Sequence, residues 1–119
     1  MTTEDTVILE DDDARIARFL QAYMGQHPYI YKDAQELINA FDTHTWEHID
    51  VLYLDHDLGG EVYVPTSQKK VVRYMIQYRP SIGTIVLHSM NVPAAQQMKA
   101  DLFEHGYRVI YCPFVSLAL

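Results

Sequence analysis

The spacing of apolar residues along this chain alternates between two periods. Val7-Ile8-Leu9 is a short β-branched run of the kind that fills a buried strand. Ile16, Phe19, Leu20 and Tyr23 then recur at i, i+3, i+4 and i+7, one face of a helix over residues 13 to 24. Asp12 or Asp13 would cap that helix and Gly25 would end it. Tyr29-Ile30-Tyr31 predicts a second strand. Asp33 with Glu36 resembles a capping box, and Ala34, Leu37, Ile38 and Phe41 follow at helical spacing. Val51-Leu52-Tyr53-Leu54 is continuous rather than alternating, as expected of a strand covered on both faces. Thr66 or Ser67 opens a third helix that turns Val71, Val72, Met75 and Ile76 inward. Thr84 to Leu87 forms a fourth strand, and Asn91-Val92-Pro93 starts a helix running through Met98 and Leu102 to Gly106. Arg108 to Tyr111 predicts a fifth strand before Pro113.

Strands and helices that alternate on short connections predict the α/β class. The economical solution is a three-layer, flavodoxin-like, parallel five-stranded sheet in the order 2-1-3-4-5. There are no internal repeats, low-complexity tracts or linkers, so residues 1–119 are expected to form a single domain. The chain ends six residues beyond Pro113, which leaves the last helix of such a fold truncated. The tail Phe114 to Leu119, or a second copy of the chain in a homodimer, is expected to cover the sheet face left open.

Composition narrows the function classes. Nine Lys and Arg against sixteen Asp and Glu give a net charge of −7, which disfavours coating of DNA or RNA. A small phosphate-bearing ligand held through a cation remains compatible. Cys112 is the only cysteine, so neither an internal disulfide nor a Cys-based zinc site can form. No apolar run approaches the ~20 residues that a bilayer requires, and the first residues lack a signal-peptide pattern. A cytoplasmic location is therefore expected. The acids are also unevenly placed: Glu4, Asp5, Glu10, Asp11, Asp12 and Asp13 crowd the first thirteen residues, and Asp50, Asp55 and Asp57 bracket the third strand. Like charges at the ends of buried strands repel unless a cation or a proton shares the space.

An open parallel sheet binds ligands outside the carboxyl ends of its strands. There the sequence places Glu10-Asp11-Asp12-Asp13 after strand one and Asp55-His56-Asp57-Leu58-Gly59-Gly60 after strand three. His88-Ser89-Met90-Asn91 follows strand four and Cys112-Pro113 strand five. Carboxylates converging with an imidazole suit Mg²⁺, or Mn²⁺ as its competitor. Simpler roles stand beside these. One of the three aspartates caps the first helix, Asn91 is a natural helix N-cap, and His88 could be a core histidine bonded to backbone. Lys69, Lys70 and Arg73 fall on the solvated face of the third helix, and His27, His44, His48 and His105 share no metal-ligand spacing.

Over nearly the whole chain, Val7-Ile8-Leu9-Glu10-Asp11-Asp12-Asp13, Asp50-Val51-Leu52-Tyr53-Leu54-Asp55 and Pro113-Phe114 resemble the receiver domain of two-component response regulators. The resemblance implies Mg²⁺ on Asp11 and Asp12 and a phosphoacceptor at Asp55. Two positions depart: His88 precedes Ser89 where that family ends strand four with a hydroxyl residue, and Cys112 stands at its lysine. Leu54-Asp55-His56-Asp57-Leu58-Gly59 together with His88-Ser89-Met90-Asn91 is more similar to the cyclic-phosphate processing receiver-like family. That resemblance implies a metal-dependent phosphoesterase acting on a cyclic phosphate of a nucleotide or RNA end. On this expectation Asp11, Asp12 and Asp55 hold the metal, and His88 or His56 protonates the departing ribose oxygen. Asp57 orients His56 or a water, while Ser89 and Asn91 lie on the substrate side. The alternatives are an atypical signalling receiver, phosphorylated on Asp55 or acting without phosphorylation, and a non-enzymatic nucleotide- or protein-binding module.

Overall fold

A computed structural model of the chain describes residues 5–44, 46–55, 65–88 and 92–112. The elements run β1 (Thr6–Leu9), α1 (Asp13–Ala22), β2 (Tyr29–Tyr31), α2 (Ala34–His44), β3 (Ile49–Leu54), α3 (Pro65–Tyr78), β4 (Ile82–Leu87), α4 (Val92–Glu104) and β5 (Val109–Tyr111). All neighbouring strands are parallel, in the order β2-β1-β3-β4-β5. Class, strand order and helix count among the described residues agree with the pattern of the sequence. Boundaries differ by one or two residues, mainly because β3 and β4 begin earlier, at Ile49 and Ile82.

Local chemistry explains the helix ends. Asp12 is the α1 cap; its carboxylate accepts the Arg15 backbone N–H at 3.0 Å. The chain leaves α1 through Gly25, whose φ of 88° favours a residue without Cβ. At α2 the Glu36 N–H donates to Asp33 Oδ1 at 2.7 Å, and the Glu36 carboxylate accepts the Lys32 N–H at 2.9 Å. That is a capping box reaching one residue further back than usual.

Alternation along the strands divides the core in two. Val7, Leu9, Leu52, Leu54, Ile85, Leu87 and Val109 face α2, α3 and α4, meeting Leu37, Phe41, Val71, Met75, Met98 and Leu102. Ile8 and Tyr53 face the other way, onto Phe19 of α1, with Tyr23, Ile30, Val51 and Val86 at the margin. Ile110 is exposed, and it alternates with Val109 of the three-helix face. The tail Phe114 to Leu119, expected over this side, lies outside the described residues.

Gly83 stands beside Asp50, between the paired residues Ile49↔Ile82 and Val51↔Thr84. A Cβ at Gly83 would lie 2.8 Å from the Asp50 carbonyl oxygen, a backbone atom held in the sheet. Gly83→Ala should therefore cost ~1–3 kcal/mol, measured as a lower urea midpoint at unchanged m-value. A midpoint equal to that of the parent chain would show that β3 and β4 have room to separate.

Candidate functional site

The site follows from strand register. Leu9 is paired with Tyr31 on one side and Leu54 on the other; Leu54 pairs with Leu87, and Leu87 with Tyr111. The next residue of each central strand continues the row by donating its amide to the neighbour. Glu10 N–H reaches Tyr31 O at 3.0 Å, Asp55 N–H reaches Leu9 O at 3.1 Å, His88 N–H reaches Leu54 O at 3.2 Å and Cys112 N–H reaches Leu87 O at 2.9 Å. Leucines in one row face the three-helix side, so the residues after them turn to the α1 side. Glu10, Asp55 and His88 consequently meet beneath the start of α1.

All three are buried, at 0%, 1% and 0% exposure, and they are the buried polar side chains among the described residues. One ligand atom from each lies within 4.8 Å of the others. Glu10 Oε2 accepts the N–H groups of Asp11 (3.1 Å) and Asp12 (3.3 Å), while Glu10 Oε1 lies 3.1 Å from His88 Nε2. Glu10 and Asp55 hydrogen-bond each other. Phe19 and Tyr53 set their rings edge-on to the His88 imidazole, at centroid distances of 5.4 and 6.2 Å. Arg15 reaches in from the first turn of α1, its guanidinium 3.7 Å from Glu10 Oε1 and 3.8 Å from Asp55 Oδ2.

Burial decides the protonation states. It pushes the Asp55 carboxyl up to about 7; the hydrogen bond and charge of Glu10 act the same way, and His88 and Arg15 only partly oppose them. Burial also pulls His88 down to about 4, against the attraction of Asp55. Near neutral pH the imidazole is therefore neutral and its Nε2–H donates to Glu10. Tyr53 is raised by burial and by its hydroxyl–hydroxyl bond to Tyr23 at 2.5 Å.

The residues expected from sequence divide three ways. Asp55 and His88 come together. Asp12 is engaged as the α1 cap and is exposed; Asp11 is half-buried and is not part of the group that meets at Asp55. His56, Asp57, Ser89 and Asn91 lie outside the described residues. Glu10 and Arg15 are the additions. Glu10 was legible in principle, because the first residue after a buried strand continues the strand's alternation. Arg15 carried a weak sequence signal: the receiver-like family the chain resembles follows a shorter acidic pair closely with an arginine, and Arg15 comes two residues after the acidic run.

The donor set fits a hard divalent cation. The Asp55 carboxyl holds a proton near neutral pH where a metal could replace it, the Glu10 carboxyl lies beside it, and the neighbouring imidazole is already held by Glu10. Buried carboxylates at the tips of strands β1 and β3 of a five-stranded 2-1-3-4-5 sheet define a receiver-type domain. Residues 6–104 match the cyclic-phosphate processing Receiver domain family, and the chain belongs to that family.

Solved structures agree on the fold. The signal receiver domain of a protein from Vibrio parahaemolyticus assigned as a Luxo repressor superposes with a TM-score of 0.58 at 16% identity, covering 92% of this chain and 78% of that one. The isolated REC domain of RcsB from Salmonella enterica serovar Typhimurium, solved with the phosphomimetic BeF3⁻, gives 0.58 at 18% identity over 92% and 78%. The signal receiver domain of an HD domain-containing protein from Pseudomonas fluorescens Pf-5 gives 0.56 at 13% over 91% and 81%. Of a longer RcsB chain from Salmonella typhimurium, this chain spans 51%. No curated protein matches the chain.

The two buried titrating groups make opposite demands on stability. Asp55, raised to about 7 from 3.8, favours folding fully below pH ~4, and that contribution is lost as pH rises through 7. His88, lowered to about 4 from 6.5, favours folding above pH ~6.5, and its contribution is lost as pH falls through 4. Between those limits they oppose each other. In Asp55→Asn only the His88 contribution remains, so stability in chelator should rise from pH 4 to 6.5. At pH 8 the variant should exceed the parent chain by on the order of 1 kcal/mol or more. A parent chain that is the more stable of the two at pH 8 in chelator would contradict this electrostatic picture.

Proposed function

We propose that the chain is a metal-dependent phosphoesterase that opens a cyclic phosphate on a nucleotide or RNA end. The observation that carries this reading is the buried meeting of Glu10, Asp55 and His88 beside the Arg15 guanidinium, in a chain of the cyclic-phosphate processing family. Glu10 and Asp55 would hold Mg²⁺ or Mn²⁺, with Asp11 next to Glu10 in the chain. A bound cation supplies polarisation of a phosphoryl oxygen and a water of lowered pKa.

The chain's own residues do the rest. Asp55 would give up its proton to a bound cation, whose charge would offset the repulsion of the two buried carboxylates. His88 is enclosed and neutral, so it positions Glu10 rather than delivering a proton to the leaving group. Water adds to phosphorus, the bond to one ribose oxygen breaks, and that oxygen leaves with a proton, giving a phosphomonoester. His56, adjacent to Asp55 in sequence, is the imidazole assigned to supply this proton, with Asp57 orienting it. Ser89 and Asn91, just past His88, are assigned to the phosphate side. The ligand class is thus a small cyclic phosphate, bound without broad nucleic-acid contact.

A second reading, a signalling receiver with Asp55 as phosphoacceptor, is favoured by one observation: Asp55 directly follows β3 of a receiver fold. Cys112, which follows β5 in the same row as His88, provides no cation for an acyl phosphate.

Two substrate classes, 2′,3′-cyclic mononucleotides and cyclic dinucleotides, decide between these readings when incubated with Mg²⁺ or Mn²⁺. The parent chain should release a phosphomonoester from at least one class, and Asp55→Ala should lower kcat about a hundredfold or more. Absence of turnover on both, with a beryllofluoride-induced spectral change that requires Asp55, would replace the enzymatic reading by the signalling one.

A further inference from the structure

We propose that the groove between the edge strand β2 and helix α2 holds a nucleoside, so that the ligand at the strand tips is the end of an oligonucleotide rather than a lone cyclic mononucleotide. The inference deepens the phosphoesterase reading and rests on it for the identity of the phosphate, but not for the chemistry of the groove.

Three observations lead to it. First, a cavity of about 500 Å³ opens along the outer side of β2, with Ile30 and Tyr31 on one wall and Glu36, Asn39, Thr43 and His44 of α2 on the other. That volume lies within the range of small-ligand sites. Second, the groove carries main-chain hydrogen-bonding groups that no strand takes up. The Glu10 N–H donates to Tyr31 O, so Tyr31 turns its polar backbone toward β1. Ile30, one residue earlier, turns its N–H and C=O the opposite way, where β2 is the edge of the sheet. Asn39 Oδ1 accepts Gln35 Nε2–H at 3.0 Å, which leaves the Asn39 amide N–H groups as donors. Third, the lining includes the Glu36 carboxylate and no Lys or Arg. Such a groove repels phosphate. It suits a neutral group that both donates and accepts hydrogen bonds, as the edge of a nucleobase does.

The groove leads to the strand tips. Tyr31 lines it, and the Tyr31 carbonyl is the acceptor of the Glu10 amide. Lys32 stands between the two. Its N–H is held by Glu36 Oε2 at 2.9 Å, and its ammonium, 59% exposed, reaches Asp13 Oδ1 at the start of α1 at 3.0 Å. An exposed pair of this kind contributes little to stability, so the Lys32 charge stays accessible to an incoming anion. With a cyclic phosphate at the tips of β1 and β3, the groove lies about two strand spacings away, ~10 Å. The adjoining nucleoside of an oligonucleotide end crosses that gap. Its linking phosphodiester passes Lys32, and its base edge meets Ile30 and Asn39.

Binding of adenylyl-adenosine 3′-phosphate and of adenosine 3′-phosphate in Mg²⁺, read by calorimetry, tests the groove without turnover. The parent chain should bind the dinucleotide about tenfold more tightly, the effect of one or two net hydrogen bonds. That ratio should fall to about one in Asn39→Leu and in Thr43→Phe, which change exposed positions of α2 and should leave the thermal midpoint in place. The Ile30 amide resonance should shift with the dinucleotide and not with inorganic phosphate. Equal affinity of the two ligands for the parent chain, a tenfold ratio that survives both substitutions, or an Ile30 amide that does not move overturns the proposal. A groove-dependent preference, without hydrolysis of the matching dinucleotide ending in a cyclic phosphate, overturns only the phosphoesterase reading.

Discussion

One constraint underlies the site: parallel strands whose last core residues share a row. Leu9, Leu54 and Leu87 are each nearly or fully buried against the three-helix side and are hydrogen-bonded in register. A one-residue slip of any strand would expose its apolar set, at a cost of about 1.5–3 kcal/mol for each large side chain moved into water. Hydrophobic packing thereby fixes where Glu10, Asp55 and His88 begin, and they have no freedom to separate. Charges that would avoid each other in water are forced together by leucines.

The consequences run through the chemistry. Two carboxyls in a dry pocket cannot both ionise cheaply, so Asp55 retains a proton up to about pH 7. The same dryness keeps His88 neutral and turns it into a hydrogen-bond donor aimed at Glu10. Two backbone amides at the entrance to α1 complete the shell of Glu10, and Arg15 closes it toward solvent. A site built this way is held by the core and tuned by what neutralises it. Proton and arginine are two answers to one excess of negative charge, and the proposed divalent cation would be a third.

The fold was legible in the sequence because each strand is a short apolar run and the helices α1 and α2 carry their own caps. Asp12, Asp33 and the glycines Gly25 and Gly106 act locally, and local signals survive without tertiary context. The site was legible only in part. Asp55 and His88 could be read because each directly follows a strand that is apolar to its last residue. Glu10 satisfies the same rule, but it opens a run of four acids, and within a run the pattern does not say which member continues the strand and which begins the helix. The structure resolves the division: Glu10 continues the hydrogen-bonded row just past β1, and Asp12 caps the helix. The neutrality of His88 depends on enclosure by Phe19 and Tyr53, distant in sequence, and no local motif carries that information.

The central claim, that register creates a single cation seat on Glu10 and Asp55, is tested most directly by anomalous diffraction from crystals soaked in Mn²⁺. The account predicts one strong peak at ~2.0–2.3 Å from carboxylate oxygens of both Glu10 and Asp55, with the Asp12 carboxylate still on the Arg15 amide. A peak on Asp12 and away from Asp55, or a saturated crystal with no peak at the strand tips, would contradict it.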